Sequence, residues 1–459
     1  MKNLKKQLIL IILMLACGNY SCKKFLEIDS PKNAATPAEI FSNDVIATSA
    51  ITGIYSRMAS TGAFSGNENS ISALCGLSAD ELQSYNPDLD VYYKNEIPTS
   101  DYRLNYNLWS ETYSYIYTSN AILEGLKSAT GVSNSTNQQL EGEAKFIRAF
   151  CYFYLVNLFG DVPLNLVTDY RVNEKNAKSS KQIIYDQIIK DLTEAETLLQ
   201  SDYVTIERIR PNKWAAKALL SRVYLYLEKW DLAGQKATEV LDQNAMYLLA
   251  DNLDDVFLKN SSEAIWQIMP TQGFNTQEGI LFNLISTPSL VSLSSDILPL
   301  FETGDNRKTK WINKYSEATG EYYYPYKYKI RETTNNEIIE YSMIIRLAEI
   351  YLIRAEARAK QGQTTLALED INKIRKRAGV LTPLEGLDQT QCITEVGKQR
   401  RLELFSEWGH RWLDLKRTGQ ATTVLAPIKG ATWQATDVLY PIPKDEITRN
   451  PNVKQNPGY

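Results

Sequence analysis

Apolar residues recur at steps of three and four along most of the chain, the spacing of amphipathic helices. Thr36-Pro37-Ala38-Glu39 starts the first, with proline in the opening turn, and Phe41, Val45, Ile51 and Tyr55 continue it. From Thr61 to Asn105 the pattern gives way to glycine, serine, asparagine and aspartate with scattered tyrosines, which predicts polar loops. Helices are expected again over 106–127, 138–159 and 180–200, the second stopped by Gly160 and Pro163. The segments 211–244 and 343–379 each read as two helices joined by a short turn. Ala233, Ala237 and Val240 in the first match Ala367, Ile371 and Ile374 in the second. Between them, 245–342 breaks the helical rhythm. Glu263–Ile268 is strand-like, and Tyr324, Tyr326 and Tyr328 alternate as on one face of a strand. Leu402, Phe405, Trp408, Trp412 and Leu415 then form a last apolar stripe. It is flanked by arginines and carboxylates and interrupted by Gly409, which predicts a bend.

Composition narrows the function classes. The 459 residues are 44% apolar and 23% charged, and 50 basic residues stand against 54 acidic ones. Without a basic excess, nucleic acid is not an expected partner. Tyrosine outnumbers phenylalanine, 28 to 12, which favours half-wet surfaces. At the start, Lys2, Lys5 and Lys6 precede the apolar run Leu8–Ala16, too short to span a bilayer; residues 1–21 read as a secretory signal. Cys22 is the expected acylated residue, with Cys17 as the alternative. The remaining Cys75, Cys151 and Cys392 are no disulfide framework, and Cys151 is expected as a buried free thiol.

Chemistry-bearing motifs are scarce. The one histidine, His410, lies within the C-terminal signature, so histidine-based triads and histidine metal sites are almost excluded, and no phosphate loop or dinucleotide motif occurs. Asp88, Asp90 and Glu96 are close in sequence but lack the glycine of a calcium loop. No cofactor, metal or catalytic residue is expected, and the chain reads as a binder and not an enzyme.

Five places carry a family resemblance: the start at Cys22, Gly160–Leu164, Arg346–Ala359, Arg400–Arg417 and Tyr440–Tyr459. In their order and residue types they resemble the SusD/RagB family, outer-membrane lipoproteins of Bacteroidetes that bind nutrients. The resemblance implies one domain over 22–459: a mainly α, α/α superhelical scaffold with tetratricopeptide-like (TPR-like) helix pairs, a loop-rich binding face and a few short strands. Residues 36–244 would be its N-terminal helical part, 245–342 an aromatic insert, and 343–459 a second TPR-like pair with the family signature. It also implies a lipid anchor in the outer membrane, facing the exterior, and a TonB-dependent SusC-like transporter as partner. The implied ligand is an oligosaccharide. A peptide ligand, or a TPR-type protein adaptor without glycan binding, is the alternative. Pyranose rings lie on aromatic faces while amides and carboxylates meet their hydroxyls. Loop context therefore marks Tyr85, Trp311, Tyr315 and Tyr323 as stackers, with Asn67, Asp80 and Gln272 as polar partners.

Overall fold

The computed structural model describes residues 36–271, 273–318, 320–332 and 337–459. Residues 1–35, with the signal, Cys17 and Cys22, and Gln272 lie outside that set. The first expected helix is two. A single turn, Pro37–Ile40, ends before Asn43, whose side chain accepts the Ile46 N–H and caps α1 (Asp44–Ser60).

The stretch assigned to loops holds three helices. All eight residues of α2 (Ile71–Ser78) are buried, so it has no polar face and no amphipathic period to read. α3 (Pro87–Tyr93) carries Asp88 and Asp90 in its first turn and is capped by Asn86, whose side chain accepts the Asp88 N–H at 2.8 Å. Among the described residues no group of His, Cys, Asp or Glu could hold a metal. A π-helical segment, Arg103–Ser110, then runs straight into α4 (Glu111–Ser128).

α5 (Asn134–Phe159) is the spine. Eighteen of its 26 residues are buried, and Gly160 ends it at φ +74°. Helices α6 (Lys181–Leu198), α7 (Lys213–Tyr226) and α8 (Trp230–Leu241) follow. The segment 343–379 opens with a strand, and only then come α9 (Leu347–Lys360) and α10 (Thr364–Arg377). In space α4, α5, α6, α7, α8, α9 and α10 pack each on the next, one row of antiparallel neighbours wound through both halves. No described helix is long and apolar enough to cross a membrane.

The last apolar stripe is split. α11 (Gln389–Leu404) and α12 (His410–Arg417) are separated by a tight turn in which Ser406, Trp408 and Gly409 all have positive φ. Gly409 is required there: a Cβ would lie 2.8 Å from the Cβ of Cys75 on α2. Cys75, Cys151 and Cys392 are buried free thiols.

Strands are short and pair in antiparallel twos. β1 (Leu82–Ser84) pairs with β5 (Val291–Leu293), β2 (Val162–Pro163) with β3 (Lys178–Ser179), and β4 (Ala264–Ile268) with β8 (Ser342–Arg346). β6 (Ile312–Glu317) and β7 (Gly320–Pro325) form a hairpin. The expected strand through Tyr328 stops at Pro325. Tyr328 turns inward instead, and its hydroxyl accepts the Met343 N–H at 2.9 Å.

Candidate functional site

Most of the charge that crowds the C-terminal signature is interior. Arg346 donates to Glu407 at 2.8 Å and to Glu403 at 2.6 Å. Arg307 donates to Glu403 at 3.2 Å and to Asp305 at 2.7 Å. Arg377 reaches Glu403 and Glu263, and Lys327 reaches Glu407 at 2.5 Å. Four cations thus meet four carboxylates in one connected, buried network. The Arg346, Arg377 and Arg307 guanidiniums hold Glu403 far below the usual carboxylate range, against the opposing effect of burial.

Two expected site residues belong to this interior. Trp311 is 0% exposed: its indole N–H donates to the Leu253 carbonyl at 3.0 Å, and Lys327, Arg346 and Arg377 lie over its ring. Its ring cannot reach a sugar. Asp80 is 7% exposed and clamped by Arg401 at 2.7 Å and Arg411 at 2.7 and 3.0 Å, with no oxygen left for a ligand. Both look like loop residues in sequence, but tertiary ion pairs consume them.

The other aromatics come together on a surface shelf. Tyr85 follows β1 directly, with its N–H on the Leu290 carbonyl at 2.9 Å, and is 41% exposed. β5 ties β1 to the hairpin by running beside β7. Across the hairpin Tyr315 stands opposite Tyr322, so both project from one face. The Tyr85 ring meets the Tyr322 ring edge-on, with centroids 5.8 Å apart at 77°. Ser292 donates to the Tyr85 hydroxyl at 3.3 Å, fixing the ring from behind. Tyr315 and Tyr322 are half-buried.

Tyr323 points to the opposite face of the hairpin, where its hydroxyl donates to Glu321 at 3.0 Å. It belongs to a different surface from Tyr85. Asn67 is half-buried and accepts the Asn69 N–H at 2.9 Å, holding its own turn. Tyr322, the residue joining Tyr85 to Tyr315, is not among the expected stackers. Its signal was available: Tyr315 and Tyr322 each lie two residues from the last pair before the turn, Glu317 with Gly320, so pairing places them together.

Two interior groups with strongly shifted proton affinity, His410 and Glu278, lie out of a sugar's reach. Burial pulls the His410 imidazole down to about 4, so it is neutral at pH 7. Burial pushes the Glu278 carboxyl up to about 7, but the adjoining space is only about 10 Å³, the lower limit for one water. A sugar cannot approach it.

Comparison with known proteins agrees with this frame. Residues 24–225 match a family described as starch-binding associating with outer membrane, and residues 301–459 match the SusD family. SusD-like protein P25 of Formosa agariphila is 26% identical over 99% of this chain and 100% of its own length. The starch-binding protein SusD of Bacteroides thetaiotaomicron is 39% identical over 25% of this chain and 21% of its own length. Among solved structures, a laminarin-binding SusD-like protein superposes with a TM-score of 0.77 at 25% identity, over 91% of this chain and 100% of its own. The chain belongs to the SusD family.

Proposed function

We propose that this chain is a surface lipoprotein, anchored through Cys22 in the outer membrane, that holds an oligosaccharide on the Tyr85–Tyr322–Tyr315 shelf. From there the glycan passes to a TonB-dependent, SusC-like transporter. The observation that carries the reading is the shelf itself: part-exposed tyrosines, two of them edge-on, held by short ladders on a rigid helical frame. Sugar C–H faces stack on such rings, and the shelf is open, so binding is wet and modest. Modest affinity suits a protein that must release its cargo. The laminarin-binding and starch-binding relatives support a glycan as the ligand class. No chemical step is assigned.

The test is calorimetry and affinity gels with residues 23–459 against starch, laminarin and other plant, algal and fungal glycans. One glycan class should bind, and Tyr322→Ala and Tyr85→Ala should each weaken it about tenfold. A folded protein that binds none of them, or binds one with both variants at full strength, refutes the shelf. Binding of peptides in place of glycans would favour the peptide alternative.

A further inference from the structure

A second concavity lies apart from the shelf, walled by the end of α5, the start of α6, the end of α12 and the C-terminal tail. Its volume is about 760 Å³, room for a disaccharide-sized guest. Four cations line it: Lys178, Lys181, Lys416 and Arg417. Arg417 is already committed, donating to Glu356 at 2.6 and 2.7 Å and to Asp414 at 2.7 Å. The three ammoniums have no carboxylate partner among the described residues. Lys416 donates only to the Asn157 carbonyl, Lys178 to the Asn456 side-chain oxygen at 2.7 Å, and Lys181 lies 5.7 Å from the Tyr185 ring.

The carboxylates on the lining do not balance them. Asp161 turns one oxygen to the Lys181 backbone N–H at 2.7 Å, capping α6, and Glu228 is exposed. Several buried cations of this protein are matched by acids, as Arg222 is by Glu349 at 2.6 Å and Arg148 by Asp191 at 2.6 Å, while Lys429 donates to the Leu77 carbonyl instead. Desolvation lowers the proton affinity of Lys178 and Lys416, the latter to about 7; the Asp161 charge offsets part of this at Lys178, while the Lys181 charge adds to it at Lys416. The amides nearby are occupied as well: the Asn456 NH2 donates to the Phe159 and Tyr440 carbonyls, and the Asn157 NH2 to Phe153. The free recognition groups are the ammoniums; the Tyr226 ring in the wall is buried under Arg417 and against Phe153.

We propose that this cavity binds a small carboxylate-bearing ligand, with Lys178, Lys181 and Lys416 as its charge partners. Lysine ammoniums are mobile point charges, so they receive a carboxylate without the fixed planar geometry an arginine fork imposes. An acidic sugar residue is one source of such a carboxylate and a free polyacid the other. The site does not depend on glycan binding at the shelf.

The experiment is calorimetry on residues 23–459 at low ionic strength, with digalacturonate, citrate, inorganic sulfate and neutral galactose as probes. Digalacturonate or citrate should bind saturably at one site, and which of them binds distinguishes acidic sugar from polyacid. Galactose should not bind. Lys178→Gln with Lys181→Gln should weaken the carboxylate at least about tenfold, while the exposed Lys175→Gln changes it less than about twofold. Melting temperature checks that each variant folds, and Lys181→Gln alone serves if the double variant does not. Three outcomes overturn the proposal: neither carboxylate binds, sulfate competes equally at every concentration, or Lys175→Gln weakens binding as much as the cavity variants.

Discussion

Replacing Glu403 by glutamine tests whether the buried charge network holds the fold. Glu403 accepts from Arg346 and Arg307, pairs with Arg377, and is fully enclosed. Glutamine is nearly isosteric, but it removes one negative charge from a cluster of four cations and four carboxylates. It also turns an NH2 toward guanidinium donors that have nothing to accept. Breaking one partner from a buried pair costs about 3–5 kcal/mol, and three guanidiniums lose a partner at once here, so the loss expected at pH 7 is about 4 kcal/mol. A domain's total stability is about 5–15 kcal/mol, so the shift is large. Urea unfolding followed by tryptophan fluorescence measures it, with Lys314→Gln as control. That lysine pairs with Glu321 in the open, side chains 48% exposed on both, and its loss should leave the midpoint unchanged. The pH dependence sharpens the test. Because the folded state depresses the Glu403 pKa, its contribution is complete above the ordinary value of 4.5 and is lost as pH falls through the depressed one. The gap between wild type and Glu403→Gln should therefore close as the solution is acidified below about 4.5. A loss under about 1 kcal/mol at pH 7, or a gap constant down to pH 3, refutes the reasoning.

Two further outcomes follow from the same physics and from the chain's start. Glu278 is buried without a cationic partner among the described residues, accepts from Ser342, and has a pKa pushed up to about 7 from 4.5. The folded state keeps a proton that the unfolded chain has released, so its contribution falls by about 3 kcal/mol as pH rises from 4.5 to 7. Glu278→Gln should then match wild type near pH 4.5 and exceed it by up to that amount at pH 8 in urea midpoints; equal destabilisation at both would contradict the assignment. For the anchor, Cys22→Ala should move the full-length chain out of the outer-membrane fraction and abolish labelling by radioactive palmitate, whereas Cys17→Ala should do neither. Retention of label in Cys22→Ala would shift acylation to Cys17.

What the sequence reveals here depends on whether a residue's role is set locally. α6, α8 and α10 each carry an apolar stripe beside a polar face, so their period is plain in the chain. α2 has no such stripe, because it is enclosed on every side. The split between α11 and α12 was masked because Phe405 and Trp408 keep the helical spacing while Ser406 and Trp408 take positive φ, a conformation side chains other than glycine seldom adopt. Trp311 and Tyr85 sit in similar local surroundings, yet one is sealed and the other open. Only the distant arginines on β8 and α10 decide that Trp311 is interior. Tyr322 was reachable through hairpin pairing, a rule of two strands and not of one position.

The C-terminal signature positions the shelf. Residues 401–411 hold both ladders that carry the tyrosines. On one side Arg401 and Arg411 grip Asp80, and the Glu81 carboxylate accepts the Ser406 N–H at 3.2 Å. The Glu81 carbonyl then accepts the Ser294 N–H at 2.7 Å, which sets β1 against β5 and so places Tyr85. On the other side the β6–β7 hairpin lies between Arg307 and Lys327, and these two are tied to Glu403 and Glu407. Tyr85 and Tyr322, more than two hundred residues apart in the chain, are thus fixed to one turn between α11 and α12. A buried ionic network gives little net stability over apolar packing of the same volume, but its directional bonds accept only one arrangement. Holding two rings edge-on at a wet surface needs that kind of constraint, because the shelf lacks a core of its own to set the angle.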